Sequence, residues 1–425
     1  VTDEETPRSF TPDSDVVAEY RALAENGFAD GTRGKLLLVV STADLTWARG
    51  DLYVALGLAK YLRREGWGIT LWPTERWTEQ TPEGFDAAIV MIETFVPGLV
   101  HPDTQVIAWV RNWTERWAEL PYLDAFGQIW CSSEASATCI REVYEGPVDV
   151  VPLGTDPELF THVPVEREPA VVTTANFWGV ERGLIAALKT LAEQEKVTWF
   201  GKNARFLELP PAIDHRHTID YFMLPWVYSA WQFVIDDVID AAAVYGTQNS
   251  RLFDAISSGA IVITNTSNGL AELGLDDVPT YSGPQNLADV VAELRNDSSG
   301  TAELSARLTT IVHERHSYAV RAAAVTALLE RPRRASAERS ALLAWTTLMR
   351  EDYRTEQFAH ADLQVLHYDL SREFGMAQRR IHLLENLIEN QPGRRLRRYA
   401  RYLLRPRALI ARLRASRATP PAPTD

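Results

Sequence analysis

The strongest constraint on this chain is a regular alternation of short apolar runs with amphipathic stretches, which stops once and then restarts. Lys35–Val40 (KLLLVV) is apolar on both strand faces from Leu36 onward, the mark of a strand covered on both sides. The loop STADLTWARGD leads into an amphipathic helix over Leu52–Arg64, and a strand follows at Ile69–Trp72. Further strands are expected at Ala87–Ile92, Val106–Val110, Gln128–Cys131 and Val148–Val151, with a helix over Glu134–Tyr144. VVPLGTDPELF closes this pattern and HVPVEREP reads as a linker. The alternation resumes with strands at Ala170–Thr174, Val197–Phe200, Phe233–Asp236, Ile261–Asn265 and near Pro279–Tyr281. Helices at Arg182–Glu193, Tyr221–Ala230, Ser250–Ser257 and around Leu287–Leu294 separate them. Such repeats predict two α/β units, each a doubly wound parallel sheet, with ligands bound beyond the strand C-terminal ends in the cleft between them.

The expected organisation is a polar segment 1–34, a first domain 35–165, a second domain 166–330, a long helix 331–393 and a tail 394–425. Residues 335–390 hold few helix breakers, and Leu363, Leu366, Leu370, Phe374, Ala377, Ile381, Leu384 and Ile388 recur at spacings of three and four. That seam suits self-association through 361–390, or packing on the protein body. The tail carries ten arginines and one acid, Asp425. Overall charge is −14, so the first 393 residues carry −23 and the tail +9. Leu396, Tyr399, Ala400 and Leu403 share a helical face opposite arginines, which suits an anionic membrane surface contacted through 394–417. RNA or another polyanion is the weaker reading, and the acidic body argues against a nucleic-acid binder.

Two cysteines, Cys131 and Cys139, form neither a disulfide framework nor a metal-ligand pattern. The N-terminal stretch has no apolar signal core, and no run approaches the roughly 18 apolar residues that cross a bilayer. A cytoplasmic protein, peripheral at the inner face of the membrane, is therefore expected. His313 and His316 fall on a charged helix and are expected in solvent.

Phosphate-loop, dinucleotide, HExxH and GxSxG motifs are absent. The informative stretch is QFVIDDVIDAAAVYGTQNSRLFDAISSGAIVITNTSN (232–268), a strand, a polar loop, a helix, a glycine turn and a strand. Asn249, Arg251 and Asp254 cluster where the loop enters the helix. Helix N-terminal N–H groups and Arg251 favour an anion there, and Asp254 is placed to accept hydrogen bonds from sugar or ribose hydroxyls. An ordinary capped helix is the plain alternative.

NSRLFDAISSGAIVITN resembles the donor-binding segment of GT-B glycosyltransferases, in particular the bacterial branch related to spore-coat-maturation enzymes and to families 1 and 4. GDLYVALGLAKYLRREGWGITLW, VVPLGTDPELF, ANFWGVERGLIAAL, WFGKNARF and HSYAVRAAAVTALL are similar to further segments of that family, in the same order over about residues 35–330. The resemblance implies transfer of a sugar from a nucleotide sugar without a catalytic metal or other cofactor. It places Arg182 and Lys202 on the donor diphosphate, with Asn176 beside them. The basic tail alone suggests that the acceptor is a glycan or lipid-linked carrier, as in surface polysaccharide synthesis, and the acceptor side falls to the first domain. There Asp51, after Gly50, is the candidate to orient or deprotonate the acceptor hydroxyl. Asp44 and Glu93 are further candidates, and Trp47 and Trp113 are candidates for stacking on sugar faces.

The chain departs from that family twice. Gly246 stands where many family 4 enzymes carry the first of two glutamates with seven residues between them, Asp254 matching the second, which leaves Asn249 to cover the first one's contact. Asp236-Asp237-Val238 replaces a common Asn-Asp-His. These departures keep open a catalytically silent scaffold. A nucleotide-sugar epimerase of the same shape is the other rival, although its histidines and extra acids are not evident.

Overall fold

The computed structural model describes residues 10–176, 183–202, 209–216, 218–331 and 341–389. It divides into two compact units, Val1–Thr355 and Glu356–Asp425. Arg182 and the tail 394–425 lie outside the described residues.

The larger unit opens with helix α1 (Ser14–Ala24), capped by Asp13. Then come β1 (Gly34–Val39), α2 (Gly50–Arg64), β2 (Trp67–Trp72), β3 (Ala87–Val90), β4 (Gln105–Val110), α3 (Thr114–Ala118), β5 (Gln128–Cys131), α4 (Glu134–Arg141) and β6 (Val148–Val150). The six strands pair in parallel in the order β2-β1-β3-β4-β5-β6. The apolar run of β1 explains its central place. Leu36 and Leu38 enter the core on one face, Leu37 and Val39 the core on the other, as the two-residue strand period requires.

The second sheet is built from β7 (Glu168–Thr173), α5 (Gly183–Leu191), β8 (Val197–Phe200), β9 (Ile213–Arg216), α6 (Leu224–Ala230), β10 (Trp231–Ile235), α7 (Asp240–Ala243), α8 (Ser250–Ser257), β11 (Ile261–Ile263) and α9 (Pro284–Asn296). All its pairings are parallel, in the order β11-β10-β7-β8-β9. Each sheet therefore has a topological switch point, beside β1 in the first and between β7 and β10 in the second.

Two expectations fail, and one strand was not foreseen. Pro279–Tyr281 is no strand: only Thr280 bridges Thr264, because β11 ends at Ile263 and Pro279 has no N–H to extend a ladder. Ile213–Arg216 (IDHR) is an edge strand with one apolar residue, too polar to stand out. His316 is 5% exposed rather than solvated. Its Nε2 donates to the Leu273 carbonyl (2.8 Å), and Nδ1 accepts from Arg321 (2.7 Å). Burial lowers its pKa to about 4.

Two further helices of the larger unit are α10 (Ser298–Arg315) and α11 (Tyr318–Leu329). The α11 helix crosses back to the first sheet and packs on α2. The approach is close at Gly57, where an added Cβ would lie 2.5 Å from the Tyr318 ring. Trp67 Nε1 donates to Thr326 Oγ1 at 3.0 Å. The chain thus passes between the two sheets twice, and the passages touch. Thr155 N donates to His316 O (2.9 Å), and Tyr318 N donates to Thr155 O (2.7 Å). One apolar cluster runs continuously from α1 and α2 through Phe160 to α8 and α11.

The final helix, α12 (Ala341–Glu389), is 49 residues long. Its start belongs to the larger unit: Thr347 Oγ1 donates to Val96 O (3.1 Å), and Arg354 Nη1 donates to Thr74 Oγ1 (3.0 Å). In the smaller unit, Leu363, Leu366, Leu370, Phe374, Ile381 and Leu384 are exposed. Among the described residues no helix is long and apolar enough to cross a membrane.

Candidate active site

The C-terminal edges of both sheets meet at a cavity of about 150 Å³. The first sheet's side contributes Ala48, Gly50, Tyr53 and Val54; the second contributes Thr174, Asn176, Gly201, Lys202, Tyr221, Tyr228, Ser250, Arg251 and Asp254; Tyr318 closes it from α11. Tyr53 and Tyr221 stack across the divide, ring centres 3.6 Å apart.

Arg251 lies at the second sheet's switch point, the second residue of α8. Its guanidinium pairs with Asp236 at the end of β10, a carboxylate with no exposed surface. Nε donates to Thr174 Oγ1 (2.9 Å) and Nη2 to the Thr174 carbonyl (3.3 Å). Asp236 and its neighbours outweigh the burial that opposes the Arg251 charge, so its pKa stays raised. The result is a fixed cation on the cavity wall, beside Ser250 at the N-terminus of α8. Asn176 and Lys202 join it: Asn176 Oδ1 accepts from Lys202 N (2.8 Å), and Lys202 Nζ donates to the Trp47 carbonyl across the cleft (3.0 Å).

Asp254 is buried at the cavity wall and accepts from Thr155 Oγ1 at 2.7 Å. Burial pushes its carboxyl well above the usual range, so the protonated, hydrogen-bond-donating form gains ground. Asn249 is not on the wall. Its amide is spent on both oxygens of Asp236 (3.0 and 3.3 Å) and on Asp237 O (3.1 Å). Asn265 Nδ2 donates to Asp237 Oδ1 (3.0 Å). The adjacent aspartates thus hold the loop and Arg251. Gly246 has φ +70 and abuts Gly269, so it turns the chain where a side chain would be strained.

On the first sheet's side, Gly50 lines the cavity and Asp51 stands behind it. The Asp51 carboxylate accepts from Ser41 N (2.7 Å) and Ser41 Oγ (2.8 Å), fixing the loop after β1 to α2. Asp44 caps the short turn Leu45–Trp47, and hydrogen bonds from Thr46 lower its pKa. Trp47 is 55% exposed. Glu93 pairs with Arg116 (3.2 Å), which also lies over the Trp113 ring at 3.7 Å. Asp44, Trp47, Glu93 and Trp113 are not on the cavity wall.

Sequence reading missed the tyrosines Tyr53, Tyr221, Tyr228 and Tyr318, which look like core residues in any local window. It also passed over Arg111, which follows β4 directly and is not on the cavity wall. Its position at a strand C-terminal end was a legible signal.

Residues 179–327 match the family model described as glycosyl transferase-like. Among solved structures, the fold is similar to sucrose-phosphate synthase from Thermosynechococcus elongatus (TM-score 0.55, 12% identity, 70% of this chain and 98% of that one). It is also similar to Anabaena HepE in complex with UDP and glucose (TM-score 0.52, 12% identity, 70% and 99%). A third likeness is to a DNA-modifying β-glucosyltransferase (TM-score 0.50, 10% identity, 70% and 100%). No curated protein sequence matches this chain. The architecture is GT-B: two parallel α/β sheets facing a cleft, with a helical C-terminal extension. Within it lies a glycosyl transferase-like domain.

Proposed function

We propose that the protein transfers a sugar from a nucleoside-diphosphate sugar, held by the donor domain 166–330, to a hydroxyl presented by the acceptor domain 35–165. The reading rests chiefly on Arg251, a clamped cation at the second sheet's switch point within a matched glycosyl transferase-like segment. In the reaction the anomeric carbon exchanges its bond to phosphate oxygen for one to acceptor oxygen. The bonding pair leaves with the diphosphate, and the acceptor proton goes to solvent or a carboxylate. Arg251, Lys202 and the α8 N-terminus offset the charge that develops on the diphosphate. Asn176 acts beside them, Arg182 is assigned to the same diphosphate by the family resemblance of its segment, and the protein's own cations take the part a metal plays elsewhere. Asp254 bonds a donor hydroxyl, Asp51 orients the acceptor loop through Ser41, and the exposed Trp47 ring offers a sugar face.

The acceptor is a membrane-held glycan carrier. The basic segment 394–417 binds anionic lipid, and 361–390 pairs with a second copy. Thermal-shift measurements with UDP, GDP, dTDP and CMP, followed by transfer assays, test the core reading. One nucleotide should raise Tm, and Arg251→Ala and Arg182→Ala should abolish that rise; no response to any nucleotide sinks the proposal. Flotation with anionic vesicles, with and without residues 394–425, tests the membrane part.

A further inference from the structure

Arg111 follows β4 at the C-terminal edge of the first sheet, facing Asp51, Glu93 and Tyr318. Tyr318 also lines the cavity. The Arg111 side chain is half-buried, and its charge is not paired with a carboxylate. Among the described residues its one hydrogen bond runs from Nη2 to the Met91 carbonyl, at 3.0 Å. Nε is fully buried and has no hydrogen-bond partner. The two carboxylates that face it are engaged elsewhere: Asp51 accepts from Ser41, and Glu93 pairs with Arg116. Burial pulls its pKa below the usual arginine range, and Asp51, Tyr318 and Glu93 oppose that. Arginine does not shed its proton at physiological pH. A half-buried cation with an unspent N–H is costly to keep unless something completes it, and a planar oxyanion matches the fork of its guanidinium.

We infer that Arg111 is an acceptor-recognition residue, and that the acceptor carries an oxyanion, a phosphate ester or a carboxylate, near the hydroxyl that receives the sugar. This builds on the sugar-transfer reading and adds a substrate class to it. The donor diphosphate is the competing anion. Against it stands location: Arg111 belongs to the first sheet, whereas Asn176, Lys202 and Arg251 belong to the second.

The test uses the full chain, wild type and Arg111→Met, which keeps the apolar stem and removes the charge. Inorganic phosphate and, separately, acetate are titrated calorimetrically with and without saturating UDP. Arg307→Ala, at an exposed arginine paired with Asp277, controls for loose anion association. Wild type and Arg307→Ala should bind phosphate or acetate, and Arg111→Met should bind at least tenfold more weakly with unchanged UDP affinity. Stronger binding of phosphate points to a phosphate ester, and of acetate to a carboxylate. In anion-free buffer Arg111→Met should melt no lower than wild type, since it loses an uncompensated charge. The inference is overturned if neither anion binds, if both proteins bind equally, if UDP affinity falls in step, or if the variant melts well below wild type. Loss of anion binding with no UDP response in either protein would keep the oxyanion site and sink sugar transfer instead.

Discussion

Asp156 and Asp236 are both buried carboxylates paired with a cation, and their surroundings differ in one respect. Asp156 is enclosed. Lys60 Nζ lies 2.7 Å away, Tyr20 and Tyr61 donate to it at 3.0 and 2.7 Å, and none of its partners lines the cavity. Asp236 holds Arg251, which keeps 18% of its side chain exposed on the cavity wall. Burial of charge therefore does not by itself mark a site. The mark is a cation fixed from behind and open in front.

The largest effect should come from the enclosed pair. Lys60→Met leaves Asp156 without its cation and should cost about 3–5 kcal/mol, read by urea unfolding, while nucleotide affinity per folded molecule stays unchanged. A lost nucleotide response would break the contrast. Next is pH. The His316 pKa is depressed from 6.5 to about 4, so its neutral ring contributes stability that is complete above pH 6.5. That contribution is lost as pH falls through 4, amounting to about 3 kcal/mol in the limit. His316→Gln should flatten the decline between pH 6.5 and 4. The open pair should behave inversely. Arg251→Lys keeps the charge but loses the fork to Thr174, costing about 1–2 kcal/mol of stability. It should weaken nucleoside-diphosphate binding about tenfold or more, measured by calorimetry. The smallest effect is at Trp47: removing its exposed ring should change stability by about 0.5 kcal/mol or less while raising the acceptor KM.

The strands were legible because both faces of each sheet are covered, so runs such as Leu36–Val40 and Ile261–Ile263 stay apolar throughout. The edge strand Ile213–Arg216 has less to bury, and its sequence says correspondingly little. Arg251, Asp254, Asn176 and Lys202 could be picked out as polar residues at strand ends or helix starts. What a linear reading does not carry is which polar groups consume one another. Asn249 looked available and is spent on Asp236 and Asp237; Asp51 is tied to Ser41; the position of Gly246 is a turn. The long-range partners are hidden for the same reason. Thr155 and Asp254 are 99 residues apart in sequence.

The two passages of chain between the sheets lie side by side, Thr155 bridged to Ser317. Two well-separated connections would act as struts and hold the halves rigidly. Two adjacent ones act as a single pivot, which leaves rotation about one axis as the easy motion and resists sliding. Thr155 also holds Asp254 on the cavity wall, so the residue on the axis touches a group at the site. Opening of the cleft would therefore reach the donor side first as a change in one short hydrogen bond.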